Sequence, residues 1–315
     1  MKIINIDQIE GVIEPFELIE PIEKGFIAYS SGRAVVPPPG ELVFNKPEGV
    51  VHLKYGYIEE GDFYVVKIAS GFYNNPQSSI ATSNGLMMLF SKNTGEPKAL
   101  LLDEGRLTDY RTATAGAIAA KYLAPKTVKR IGIFGAGIQG REQLRFLRQI
   151  TPCKDVIVWG VDTKELALYK EEMSLEGYDV EITQHADPIG KTCNLIVTCT
   201  PSKKPLISWS DIQAGTHITA VGADTPGKQE LDSKIIANAD VLVVDSRSQV
   251  CERGECQHAF RKGLIKQDEL VELGQVISGE SPGRASDDQI SVVDLTGIAT
   301  QDLNIAETVY NMLSM

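Results

Sequence analysis

The chain has 315 residues, of which 43% are hydrophobic, with a formal net charge of −11 and a pI near 5.0. That length favours two domains over one, and the apolar fraction is enough for a packed core. An acidic surface repels nucleic acid and anionic membranes, so neither is expected as a partner. No apolar run reaches the ~20 residues needed to span a bilayer. The opening MKIINIDQIEGVIE carries acids early and lacks a long apolar segment, so no signal peptide is read and a cytoplasmic protein is expected. Cys153, Cys193, Cys199, Cys251 and Cys256 are odd in number and without zinc spacing. Free thiols are the simplest account, and no metal is expected, Cys251, Cys256 and His258 included.

Residues 1–110 predict a small domain of strands. A helix over roughly 15–30 precedes Pro37-Pro38-Pro39, and strand-like runs follow at Val50–Tyr57, Phe63–Ile68, Leu86–Phe90 and Ala99–Leu102. Turn signals such as Glu60-Gly61-Asp62 and Asn93-Thr94-Gly95 separate them, as in an antiparallel sheet or open barrel. The Ala-rich segment 111–123 predicts a connecting helix. After Pro125 the pattern alternates. Strands are expected at 130–134, 155–159, 179–183, 194–199, 216–222 and 240–245 with helices between them, then a strand at 291–296 and a last helix over about 299–313. Such alternation predicts an α/β domain with a doubly wound, Rossmann-type parallel sheet.

The first of these strands runs straight into Gly135-Ala136-Gly137-Ile138-Gln139-Gly140, and Leu144, Leu147 and Ile150 then mark one face of a helix. G-x-G-x-x-G alone is weak; between a strand and a helix it points to a dinucleotide. The first glycine allows the tight turn, the second lets a pyrophosphate approach, and the third lets the helix pack. Free N–H groups at the helix start face the phosphates.

Asp109-Tyr110-Arg111-Thr112-Ala113, the glycine motif, HITAVGADTPGKQEL (217–231) and VDLTGIATQD (293–302) together give a chain that resembles the ornithine cyclodeaminase/μ-crystallin family over essentially its whole length. The resemblance implies a dinucleotide-binding domain at 113–297 and a discontinuous, mostly antiparallel α+β domain at 1–112 plus 298–315. The latter would bind substrate and form a homodimer. It also implies NAD(H) or NADP(H) as cofactor and a small imino or amino acid as substrate.

Family reactions move a hydride between nicotinamide C4 and the α-carbon of such an acid, so cations for a carboxylate and a group that moves a proton are needed. By resemblance Arg111 binds the carboxylate, for which guanidinium geometry is suited; the alternative is an arginine at the start of its helix. Lys67, in Val65-Val66-Lys67-Ile68-Ala69, is implied to meet substrate; the alternative is a lysine guarding a sheet edge. Relatives often carry an arginine after the proline-rich stretch, where the best match here is Gly40. Lys54, at a position usually neutral, is a candidate replacement, or an exposed strand lysine. His52 stands where cyclodeaminases carry an acid; it is a proton donor or a half-buried histidine. Asp224, after Val221-Gly222-Ala223, is implied to protonate the amine or hold an iminium, or it is a cap for the following turn. Thr82, Ser83, Thr112, Thr198, Thr200 and Val221 match positions near the nucleotide. Gly160 stands where NAD enzymes usually place a ribose-binding acid; Asp162 is the nearest acid, and NAD against NADP stays open.

These residues favour NAD(P)H-dependent reduction of a cyclic ketimine: 1-pyrroline-2-carboxylate to L-proline, with 1-piperideine-2-carboxylate to L-pipecolate as the six-ring counterpart. Ornithine cyclodeamination, alanine-type dehydrogenation and nucleotide-dependent binding without turnover are the alternatives. His52 in place of an acid weighs against the first of these, and Lys67, Arg111 and Asp224 together weigh against the last.

Overall fold

The computed structural model describes residues 1–72, 74–75 and 80–314. The chain divides into two compact units, Met1–Arg111 with Ile298–Met315, and Thr112–Gly297.

The first unit is an open seven-stranded sheet. Its order is Lys2–Asn5, Pro97–Leu102, Ser83–Ser91, Phe63–Phe72, Glu48–Ile58 and Ala34–Val35, with Gly40–Asn45 also paired to Glu48–Ile58. All pairs are antiparallel except the first, which the apolar patterning did not reveal. Among the described residues the sheet does not close into a barrel. The helix expected over 15–30 is a 3-10 turn, Pro15–Leu18, followed by an α-helix, Ile19–Ser30. The last helix, Ala299–Met312, packs on Ile19–Ser30 and across the central strands. Gly25 permits the first of these approaches: a Cβ there would come within 2.7 Å of Asn304. Val65, Met87, Leu89 and Leu101 on the strands and Ile22 and Phe26 on the helix are at most 1% exposed.

The second unit is an eight-stranded parallel sheet in the order Asp179–Thr183, Asp155–Trp159, Ile131–Phe134, Leu195–Thr198, His217–Ala220, Ser291–Asp294, Val241–Val244 and Val271–Glu272. Alternate residues enter two separate cores. Ile131, Ile133, Val156, Val158, Leu195 and Val197 face one way. Phe134, Ile157, Ile196, Ile218 and Val292 face the other. Burial of both faces explains why these strands read as continuous apolar runs. The chain reverses its direction of travel across the sheet at Ile131–Phe134, the point at which α/β sheets of this order bind ligands. The helix expected from 111 begins earlier, at Arg106. Asp103 Oδ2 accepts the Leu107 N–H at 3.0 Å, and the backbone turns through Glu104 and Gly105 at φ 53° and 89°. A side-chain cap of this kind leaves no trace in apolar periodicity.

Candidate active site

In the second unit the candidate residues gather where the strands end. Gly135 takes φ 116°, closed to residues with a side chain, and a Cβ on Gly140 would fall 1.9 Å from the Gly135 carbonyl oxygen. Gly137 differs: a Cβ there would meet nothing within 4 Å. Gly137 is also the N-cap of the helix Ile138–Leu147, which has no side-chain cap and no acid in its first turn. The open space at Gly137, beside a helix start without a side-chain cap or an acid, fits a dinucleotide pyrophosphate. Within this turn the Ala136 carbonyl accepts from the Arg141 guanidinium, Gln139 Oε1 accepts from Gln143 at 3.5 Å, and Ile138 is 47% exposed.

Asp162 caps the helix Thr163–Leu175: its Oδ1 accepts the N–H groups of Lys164 at 2.7 Å and Glu165 at 3.4 Å. The sequence reading gave it no such task. Thr198 and Val221 close the adjoining strands, the Thr198 carbonyl accepting from Val221 N–H at 2.9 Å and Gly222 N–H at 3.2 Å. Thr200 follows, its N–H bonded to Glu230. The Thr112 carbonyl accepts from Gln143 Nε2 at 3.1 Å. Asp224 lies beyond Val221 with its side chain 43% exposed. Its Oδ1 accepts from Lys228 Nζ at 2.7 Å and from Thr225 Oγ1 at 3.0 Å. No helix begins there; a turn at 226–227 follows, closed by the Lys228 N–H on the Thr225 carbonyl at 3.2 Å.

In the first unit the sheet and the last helix bring three cations to one carboxylate. Lys54 and Lys67 are register partners on neighbouring antiparallel strands and share a face. They are 8% and 2% exposed. Phe63–Phe72 is an interior strand, so Lys67 guards no edge. Asp302, wholly buried on Ala299–Met312, places Oδ1 at 2.9 Å from Lys67 Nζ and 3.1 Å from Arg111 Nε. Arg111, buried within its helix rather than at its start, also gives an Nη1 hydrogen bond to Gln301 Oε1 at 3.1 Å. Burial, then the Arg111 charge, pushes Lys67 down to about 8, against the pull of Asp302. Burial raises the Asp302 carboxyl, but Lys67, Arg111 and Lys54 outweigh it and hold the group below the ordinary carboxylate range. His52 lies on the same face as Lys54, its Nδ1 3.4 Å from Oε1 of Glu41 on the next strand.

Gly40 pairs with Leu53, and a Cβ there would lie 3.5 Å from the Leu53 Cβ. A side chain at 40 would thus point to the face away from Lys54 and Lys67. The matching position on the cation face is Glu41. The Thr82 carbonyl accepts from the Phe72 N–H at 2.8 Å, and Ser83 opens the strand Ser83–Ser91.

Asp302 and Gln301 were not singled out from the sequence. The signal was present: an acid and an amide on a helix whose residues 299–306 are all buried. A buried carboxylate demands a cation, and Lys67 is the lysine set among apolar strand residues. Lys228 and Glu230 carry no comparable signal. All five cysteines are free, and among the described residues no group of His, Cys, Asp or Glu is placed to hold a metal ion. No helix of the described residues is long and apolar enough to cross a membrane.

Known proteins resemble this chain over nearly its whole length. The chain is 39% identical over 312 residues to an uncharacterized cyclodeaminase of Sinorhizobium fredii, covering 97% of this chain and 94% of that one. It is 36% identical over 317 residues to alanine dehydrogenase of Archaeoglobus fulgidus, covering 99% and 95%. The solved structure of Thermococcus litoralis Δ1-pyrroline-2-carboxylate reductase, in complex with NADH and L-proline, superposes with a TM-score of 0.94 at 28% identity, covering 100% of this chain and 98% of that one. The model of the ornithine cyclodeaminase/mu-crystallin family matches residues 2–315, and the chain belongs to that family.

Proposed function

We propose that the chain is a nicotinamide-dependent oxidoreductase that reduces the C=N bond of an α-imino acid. The finer reading is a cyclic ketimine reductase acting on 1-pyrroline-2-carboxylate, with the six-membered ring as a second substrate, and assembled as a homodimer. The observation that carries it is the meeting of Lys67 and Arg111 on one buried Asp302 oxygen, with Lys54 on the same face. Lys67, Arg111 and Lys54 all act on Asp302, with the charge of Asp103 also felt at Lys67, and a buried face this rich in cations attracts a further anion. A substrate carboxylate is of that kind. Arg111 offers it charge-assisted hydrogen bonds, and Lys67, whose proton is loosened by burial, holds or gives a proton beside it.

The bound nicotinamide supplies the hydride to the imine carbon. The imine nitrogen takes the proton, and Asp224, tied to Lys228, is the candidate to deliver it or to hold the iminium. In this reading Gly135 to Gly140 hold the pyrophosphate. Thr82, Ser83, Thr112, Thr198, Thr200 and Val221 line the nucleotide, Asp162 reaches the ribose, and His52 borders the substrate. The first unit is then the substrate-binding and dimerising domain, and the second the nucleotide domain.

A second reading is an alanine-type dehydrogenase, favoured by the 36% identity to a protein of that name. Both reactions pass through an α-imino acid and differ in whether it is cyclic. The test follows NADH and NADPH oxidation separately with pyrroline-2-carboxylate, piperideine-2-carboxylate, and pyruvate plus ammonium, beside ammonia release from ornithine. Turnover of a cyclic imine far above pyruvate is expected. The reverse order installs the second reading, and ammonia release from ornithine without net NADH consumption overturns both.

A further inference from the structure

Within the second unit a carboxylate outside the expected set joins two strand ends. Glu230 lies on the short strand Gln229–Leu231 and is wholly buried. Its Oε1 accepts the Thr200 N–H at 2.6 Å, and its Oε2 accepts the Gly222 N–H at 3.1 Å. Thr200 lies two residues past the strand Leu195–Thr198, and Gly222 two past His217–Ala220. One carboxylate thus spans the ends of two adjacent parallel strands. The strand that carries it is fastened in turn: Glu255 accepts the backbone N–H groups of Glu230 at 2.7 Å and Leu231 at 2.9 Å.

Burying a carboxylate is costly, and burial pushes this one up to about 7. An apolar side chain would fill the volume without that cost. What a carboxylate adds is two acceptors on one rigid group, able to take two N–H donors from different segments at once. An amide offers one acceptor and one donor, and its donor would face an N–H. The fit is also close. A Cβ at Gly222 would fall 2.4 Å from Glu230 Oε2 and 2.4 Å from the Thr200 carbonyl oxygen, so the two segments touch through bare backbone.

The place of this clamp gives it a consequence. In a sheet of this order the pyrophosphate sits on the turn after the first strand. The adenosine half lies toward the second strand and the nicotinamide half toward the fourth and fifth. Here the first strand is Ile131–Phe134 and the second Asp155–Trp159, while Leu195–Thr198 and His217–Ala220 stand on the other side. Glu230 therefore binds together the segments on the nicotinamide side, including the backbone leading to Asp224, and both of these backbone hydrogen bonds lie on that side. We propose that Glu230 is a positioning residue that sets the spacing of Thr200 and Gly222, and so the seat of the nicotinamide, while leaving the adenosine half of the site unaffected. The proposal rests on the dinucleotide reading of this unit but on no particular imino acid.

The test compares two ligands on the same variants. ADP-ribose lacks nicotinamide and reports the glycine turn; NADH reports both halves. In Glu230→Gln, affinity for NADH should fall by about tenfold or more, the equivalent of one charge-assisted hydrogen bond, while affinity for ADP-ribose stays within about twofold. Gly222→Ala, which wedges a methyl group into the same contact from the other side, should show the same selectivity. Glu230→Asp, which keeps the charge, should recover part of the lost NADH affinity. Equal loss for both ligands, or a lowered melting temperature with both affinities unchanged, would overturn the proposal, since either marks a purely structural carboxylate. If Glu230→Gln does not fold, Gly222→Ala decides alone. Absence of imine turnover by the wild-type chain would overturn the substrate reading and leave this binding comparison standing.

Discussion

Lys54 and Lys67 face each other directly across two antiparallel strands, both buried, with like charges. Such a pair opposes folding of the sheet unless something answers it. Asp302, brought down by the last helix, is that answer for the folded chain.

Removing it should therefore be costly. Asp302→Asn leaves Lys67 and Arg111 without their shared anion, and breaking a buried ion pair from one side costs about 3–5 kcal/mol. Urea denaturation should show a loss in this range, and a small carboxylate such as L-proline should restore part of it by occupying the vacated charge. A variant as stable as wild type would mean that the three cations need no anion.

The lowered proton affinity of Lys67 sets a pH limit. Its ammonium is lost as pH rises through about 8 in the folded chain, against 10.5 for an ordinary lysine. Between those values the unfolded chain binds the extra proton, so this group's contribution to stability improves with rising pH. Carboxylate binding moves the other way, because the cation disappears. kcat/KM should fall above pH 8. A bound carboxylate raises the lysine pKa, so the limb in kcat should lie at higher pH. A kcat/KM profile flat to pH 10 would remove Lys67 from the binding step.

Arg111→Ala should raise KM for the imino acid by roughly 10- to 150-fold, the worth of one charge-assisted contact, and leave NADH affinity intact. Lys54→Met tests whether the second lysine also serves the substrate. A smaller rise in KM is expected, since Lys67 and Arg111 stand 2.9 and 3.1 Å from Asp302, while Lys54 acts on it through its charge. Unchanged kinetics would leave Lys54 a structural cation.

These residues show what the sequence carries and what it hides. Lys67 stood out as a charge among apolar strand residues, and Arg111 through the family resemblance of Asp109-Tyr110-Arg111-Thr112-Ala113. The parallel strands were legible because both their faces are buried. The edge strand Lys2–Asn5 was not, because only Ile4 of its four residues is buried. Asp302 was missed because its partners lie 235 and 191 positions earlier in the chain. The clamp at Glu230 was missed because it bonds to backbone, and backbone N–H groups look alike in every residue. Asp162 shows a third kind of limit: a cap and a ribose ligand call for the same side chain at the same strand-to-helix junction.

Asp224→Asn should leave stability nearly unchanged, since its pair with Lys228 is 43% exposed on the acid side and exposed pairs contribute about 0–1 kcal/mol. If Asp224 moves the proton, kcat should fall by about 10²–10⁴-fold, with NADH affinity kept. Full kcat across the pH range would leave the Asp224–Lys228 pair a surface contact.

Asp162 bears on the choice between NADH and NADPH. A carboxylate beside the adenosine ribose accepts hydrogen bonds from its hydroxyls and repels a 2′-phosphate. Here Oδ1 is already engaged with the N–H groups of Lys164 and Glu165, which leaves Oδ2 for a ribose. The capping role decides which substitution is informative. Asp162→Ala would remove cap and charge together and cost about 1 kcal/mol of stability. Asp162→Ser keeps an oxygen that caps the helix and removes only the charge. If Asp162 reaches the ribose, wild type should prefer NADH, and Asp162→Ser should shift the ratio of dissociation constants toward NADPH with no change in melting temperature. Gly160 works in the opposite sense, because it leaves room where an acid commonly stands, with Lys164 close by in sequence as a partner for a phosphate. A native preference for NADPH would confine Asp162 to its cap, and an unchanged ratio in Asp162→Ser would do the same.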